Sequence, residues 1–266
     1  MGYVVDPDNW EWLTTGNNFR FILEGFAVNL EIALIAIVFS LVVGLALALL
    51  RLSKVRAISF LAGVWIDVFR NLPLIFLILY LALAMPESWR DFYEDIAPGF
   101  LPDVLQTGRV FAALLALVLY NSAVIAEIMR AGIQSLDRGQ GEAAASIGLS
   151  YAQSMRLVIL PQGLRRMVPA TVSQLITLNK DTTLVSIIAI QEVVRHGRIV
   201  TGFNFFGGVQ APVLQVFIFV GVLFIIVNFA LSRLSRRLEI REQERTGTTM
   251  GQIGGSEDLA VAGAEA

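Results

Sequence analysis

The sequence predicts an all-α integral membrane protein of about five transmembrane helices, with the amino terminus outside and the carboxyl terminus in the cytoplasm. Three observations carry that prediction. Hydrophobic residues make up 56% of the 266, charged residues only 16%, and mean hydropathy is +0.68, whereas an average soluble domain carries about 25% charged residues. The apolar residues fall in long blocks, and several match the length of about 20 residues needed to cross a hydrocarbon core. Arginine and lysine gather mainly in alternate loops, as the positive-inside rule requires of cytoplasmic segments.

Residues 1–24 are polar and acidic, with Trp10, Trp12, Phe19 and Phe21 interleaved. They lack the basic start and short apolar core of a cleavable signal, and the tryptophans suit the membrane–water boundary. The expectation is an outer surface segment. The first span covers 27–50, where Ala36, Ser40, Gly44 and Ala48 form one face of small side chains. In lipid such a face lets a second helix approach closely, because packing drives association there. Arg51, Lys54 and Arg56 then mark a cytoplasmic loop.

The second span, 57–85, carries Asp67, Arg70, Asn71 and Pro73 at its middle. Proline removes a backbone donor and kinks a helix, so a break is expected there. Asp67 and Arg70 stand one turn apart and can neutralise one another; a role for Arg70 in the solute path is the alternative. An acid-rich outer loop follows, then a third span at 110–129. Its Glu127 is either held by Arg130 one turn on or turned to a pore.

Residues 136–166 form a polar cytoplasmic insert. Its first half is rich in helix formers, and Gly148 suits a left-handed helix end. Ser150 and Gln153 have the spacing of a capping box for a second short helix, and Pro161 is expected to end it, since a residue before proline avoids the helical region. Two short helices joined at a glycine make a knob suited to docking in a partner's groove.

The fourth span, 168–190, is the most polar. Gln174, Thr177 and Asp181 share one helical face, and Ser173, Thr177 and Lys180 the adjoining one. Such a helix lines a wet cavity or is buried among others. An outer loop at 191–210 carries Arg195, Arg198 and the sole histidine, His196, which is expected to be merely solvated; its positive charge runs against the inside rule. The fifth span is 211–231, anchored inside by Arg233, Arg236, Arg237 and Arg241. A polar tail at 239–266, rich in Gly, Ala and Thr, has little to bury and is expected to be disordered.

The residues exclude several classes. Without cysteine there is no disulfide or thiol chemistry. No basic block points to nucleic acid. There is no G-x-x-x-x-G-K-S/T phosphate loop, no metal-ligand cluster and no nucleophile–base pair, so the chain is expected not to be an enzyme and to hold no cofactor.

Glu142-Ala143-Ala144, Gly148 and Leu160-Pro161 resemble the EAA loop of bacterial ABC-importer permeases, EAA-x3-G-x9-I-x-LP, with Val158 in place of the isoleucine. Phe69 to Leu74 (FRNLPL), Asn121-Ser122-Ala123, Arg130 to Gln140 and Lys180 to Leu184 (KDTTL) are similar to the polar-amino-acid branch of that family, and the likeness runs over 25–238. The resemblance implies an importer in the bacterial cytoplasmic membrane. It implies a second identical or related membrane subunit, two copies of an ATP-binding subunit holding ATP and magnesium, and an extracytoplasmic solute-binding protein. Gly139, Glu142, Ala143, Ala144 and Gly148 would then couple to the ATPase, and Gln174, Thr177, Lys180, Asp181, Glu127 and Arg70 are candidates for the substrate path. The RNxPL form points loosely to glutamate, aspartate or glutamine. Two alternatives stand beside this: an ion-coupled transporter or channel relaying charge through Lys180, Asp181 and Glu127, and a signalling subunit with no path.

Overall fold

The computed structural model describes residues 6–202 and 211–246; of the tail expected to be disordered at 239–266, residues 239–246 instead continue the last helix, and 247–266 lie outside the described residues. A 3-10 turn at Pro7–Leu13 leads into α1 (Asn18–Arg51). Then come α2 (Arg56–Asn71), α3 (Leu74–Ala84) and α4 (Glu87–Ile96), a 3-10 turn at Asp103–Gln106, and α5 (Gly108–Gln134). The insert contains α6 (Arg138–Ser146) and α7 (Tyr151–Ser154), which passes through a π turn at Met155–Ile159 into α8 (Leu160–Asp181). A 3-10 stretch at Thr182–Ile188, α9 (Val193–Gly202) and α10 (Val213–Thr246) complete the described chain. No strand occurs among the described residues.

The core is built on close approach of small residues. Ala36, Ser40, Gly44 and Ala48 of α1 are all buried, with Gly44 against α5. A Cβ on Gly44 would stand 2.8 Å from the Ile125 side chain, so only glycine permits this crossing. The same device brings α8 onto α5, where a Cβ on Gly163 would meet Ile133 at 2.8 Å. A second apolar cluster closes the outer end, joining Trp12, Ile22 and Phe26 to Val193, Val200, Val216 and Val220. Trp12 is 1% exposed and meets Phe219 edge-on, which ties the amino-terminal segment to α10.

Among the described residues, three helices are long and apolar enough to cross a membrane: α1, α5 and α10 through Arg241. The second expected span breaks where Pro73 predicts, turning by 99° between α2 and α3, which together count as a fourth crossing at most. The break falls at Leu72–Pro73, both extended in backbone, where proline cannot donate back into the preceding turn. The fourth expected span differs. Its helix starts at Leu160, ends at Asp181, and is too polar to qualify by hydropathy; it packs instead between α5 and α10.

Candidate functional site: the coupling loop and the polar helix

Two caps shape the insert at 136–166, the candidate coupling loop. The Asp137 carboxylate accepts from the Gly139 N–H at 2.8 Å and starts α6. Gly148 ends it at φ +85, a region that L side chains rarely adopt. There its N–H donates to the Ala145 carbonyl at 3.0 Å, and the Leu149 N–H donates to Ala144 at 3.1 Å, the paired bonds of a Schellman ending. Ser150 and Gln153 then form both halves of a capping box. Of the expected coupling residues, Ala144 faces inward and is buried, while Gly139, Glu142, Ala143 and Gly148 are exposed.

Pro161 does not end the second helix. Leu160 is helical at φ −62, ψ −46, and its N–H reaches back to the Met155 carbonyl across the π turn. The wider turn gives the proline ring room and lets the chain continue, so α7, the π turn and α8 form one continuous rod. Three hydrogen bonds fasten the loop to the helices above it. Tyr151 Oη donates to the Leu52 carbonyl at 3.3 Å, Arg166 Nη1 to Ser135 at 2.9 Å, and Gln162 Nε2 to Gln140 Oε1 at 3.2 Å.

On α8, Thr177 and Lys180 are exposed, whereas Gln174 and Asp181 are half-buried. The Gln174 amide donates to Asn121 Oδ1 of α5 at 2.7 Å, and Asn179 donates to Asn228 of α10 at 3.1 Å. The polar helix is therefore held by hydrogen bonds on two sides while one face stays open.

Glu127 and Arg70 belong to a separate charge cluster. Arg130 grips Glu127 with two contacts, 2.6 and 2.9 Å, and also reaches Gln134. Arg70 lies 3.4 Å from Asp67 and 3.9 Å from Glu127. Both anticipated pairings are present, and Arg70 joins the broken end of α2 to α5.

The outer segment departs from expectation. Residues 193–202 are helical and packed, not a solvated loop; 203–210 lie outside the described residues. His196 is 8% exposed, its ring stacked on Phe21 at 3.8 Å and its Nδ1 bonded to the Phe21 carbonyl at 2.6 Å. Burial holds its pKa below the ordinary value, against the opposing pull of that carbonyl and Glu24. Glu192, fully buried, caps α9 by accepting from the Arg195 N–H at 2.8 Å, and it receives the Asn29 amide at 3.1 Å. Burial raises its pKa, opposed by those same hydrogen bonds. Asn29 also donates to Thr182 Oγ1 at 2.9 Å and accepts from the Val193 N–H at 3.0 Å. Sequence reasoning missed this network. Its one trace was a polar Asn29 within a hydrophobic span.

Several helices apolar enough to cross a membrane, with a polar helical insert between them, define a polytopic membrane protein. Comparison with known families says which kind. The family described as "Binding-protein-dependent transport system inner membrane component" matches residues 14–240, and the chain belongs to it. A probable glutamine ABC transporter permease of Bacillus subtilis (strain 168), GlnP, is 38% identical over 225 residues, covering 85% of this chain and 95% of its own. The glutamate transport system permease GluD of Corynebacterium glutamicum is 34% identical over 252 residues, covering 94% and 84%. The crystal structure of an amino acid ABC transporter with histidines superposes with a TM-score of 0.69 at 27% identity, covering 84% of this chain and 94% of that one. This membership decides for an importer permease over the ion-coupled and signalling alternatives. The chain is a multi-pass membrane subunit and not an enzyme, ATP hydrolysis lying on a separate subunit, and a solute-binding protein works with it.

Proposed function

We propose that this permease carries a polar amino acid of the glutamate, aspartate or glutamine type into the cell by alternating access. The names of relatives that match most of the chain support the substrate class. The observation that carries the mechanism is the continuous helix from the capping box at Ser150 through the π turn to Asp181. The helix also runs on past its interior Pro169, so a push on the coupling loop is passed to the polar face of α8 along a single helical element. Gly139, Glu142, Ala143, Ala144 and Gly148 form or shape the docking surface for the ATPase. Glu142 offers its exposed carboxylate to donor groups there.

Gln174, Thr177, Lys180 and Asp181 line the solute path, with Glu127 and Arg70 nearer its cytoplasmic end. An α-amino acid brings a carboxylate and an ammonium, which need donors and acceptors in turn. Lys180 and Asp181 supply one of each. Neighbours on a helix point about 100° apart, so a single subunit does not present both to one ligand. Two identical or closely related subunits around a shared axis supply the opposing wall, served by two ATP-binding subunits that hold the ATP and magnesium. Nucleotide then shifts the balance between inward- and outward-facing states through its different affinity for each.

The test is uptake in liposomes containing the permease, its ATPase and the matching binding protein, against a panel of amino acids. ATP-dependent accumulation confined to acidic amino acids and their amides is expected. Preference for a basic or apolar amino acid would overturn the substrate class.

A further inference from the structure

A cleft lies between the cytoplasmic end of α1 and the coupling loop, and the transport mechanism above makes no use of it. Ala46 and Leu50 of α1, Val55 and Ile58 around the start of α2, and Tyr151 and Met155 of the coupling loop line it. Leu50, Val55 and Ile58 are each at least 40% exposed. Arg51 marks the end of the α1 span, so Ala46 to Leu50 lie at the depth of inner-leaflet acyl chains and 52–55 at the headgroups.

The rim of the cleft is basic. Lys54 lines it, Arg56 opens α2 beside it, and Arg156 follows Met155; all three are exposed. Among the described residues none of the three is ion-paired with a carboxylate. Arg51 differs, since its guanidinium donates to the Ser59 carbonyl at 2.9 Å. The Lys54 ammonium rests 4.1 Å above the Tyr151 ring, a contact it can exchange for a stronger anion. Asp137 and Glu142 line the adjoining groove, which shares Lys54 and Tyr151 with this cleft.

We propose that the cleft binds an anionic phospholipid of the inner leaflet, one acyl chain along the apolar wall and the phosphate at Lys54 and Arg56. Basic pockets on the cytoplasmic side of membrane helices recognise such headgroups. Because Tyr151 and Met155 belong to the coupling loop, the lipid braces that loop against α1.

Native mass spectrometry of the permease–ATPase complex tests this, after reconstitution in equal phosphatidylcholine and phosphatidylglycerol. Preferential retention of phosphatidylglycerol is expected. Each cation removed should weaken retention about fivefold, so Lys54→Gln with Arg56→Gln loses about 25-fold. Ala46→Trp, which fills the apolar wall and leaves the charge intact, should also displace the lipid, while Lys54→Arg keeps it. A wild-type melting temperature for each variant permease certifies that it is folded, and the readout does not depend on the transported substrate. Equal retention of both lipids overturns the proposal, as does wild-type retention in the double variant. Displacement by millimolar glycerol phosphate would also overturn it, assigning the cations to a small soluble anion instead.

Discussion

The two ends of this permease solve opposite problems. At the cytoplasmic end, α6 and α7 stand out from the bundle with their surface mostly exposed, fixed by caps and three tethering hydrogen bonds. At the outer end, α9 is sunk into the fold by a buried network around Asn29 and Glu192. The exposed insert has little packing to hold it, so its rigidity comes from backbone geometry, which suits the docking role proposed for it. The outer helix α9 is packed into the fold and takes its rigidity from burial. The rod formed by α7, the π turn and α8 joins the two, ending at Asp181 beside Thr182, which the Asn29 network holds.

The largest effect should follow from Asn29→Ala. It leaves the buried Val193 N–H and Glu192 carboxylate short of partners, and each unsatisfied group costs about 1–3 kcal/mol. A loss of about 3 kcal/mol in thermal unfolding of the detergent-solubilised protein is expected. An unchanged melting temperature would mean that the outer network does not hold α9.

Gly148→Val should come next. Forcing a β-branched residue to a left-handed φ costs about 1–2 kcal/mol or more. Because the surroundings of Gly148 are open, the loss should be local. ATPase recruitment and coupled uptake fall while the melting temperature of the isolated permease moves little. That split separates the two ends: a cytoplasmic change spoils coupling, an outer one spoils stability. Full coupling in the variant would refute the docking role of the bend.

A smaller effect is tied to pH. The His196 pKa is depressed by burial from its ordinary 6.5, so the unfolded chain binds the proton more readily. The stability it contributes is present above 6.5 and is lost as pH falls from there through the lower folded value. Acid should therefore loosen the outer packing, measured as faster amide exchange in α9. His196→Gln should lessen that sensitivity; an unaltered pH profile in the variant would assign it elsewhere.

Arg130→Gln should have the least effect on stability, about 0.5–1 kcal/mol, because the pair with Glu127 is partly exposed. Arg70 stays 3.9 Å from Glu127 to offset the loss. Double-mutant cycles on Glu127 and Arg130 measure it.

Much of this was legible in the sequence where a local rule governs. The small-residue face of α1, the Gly148 ending and the Ser150 capping box each depend on residues within a turn or two. The pairing of Glu127 with Arg130 is equally local. What escaped depends on distant partners or on relief of a local rule. Pro161 reads as a stop, yet a π turn five residues long lets the helix pass. His196 reads as solvated, yet Phe21, far away in sequence, buries it. The coupling role proposed for Glu142 rests on the family motif, since an exposed glutamate on a short helix carries no signal of its own.

The central claim is that the rod from Ser150 to Asp181 lines the solute path and moves with the coupling loop. The chain has no cysteine, so Thr177→Cys and Asp181→Cys report on water access without background. In the assembled, active transporter, both should react with a water-soluble thiol reagent. The rate at each should change between nucleotide-free and ATP-bound states, while Val42→Cys, at an exposed apolar position in the middle of the α1 span, resists throughout. Both sites unreactive in every state, with transport intact, would contradict the account and move the path to the break around Asp67 and Arg70.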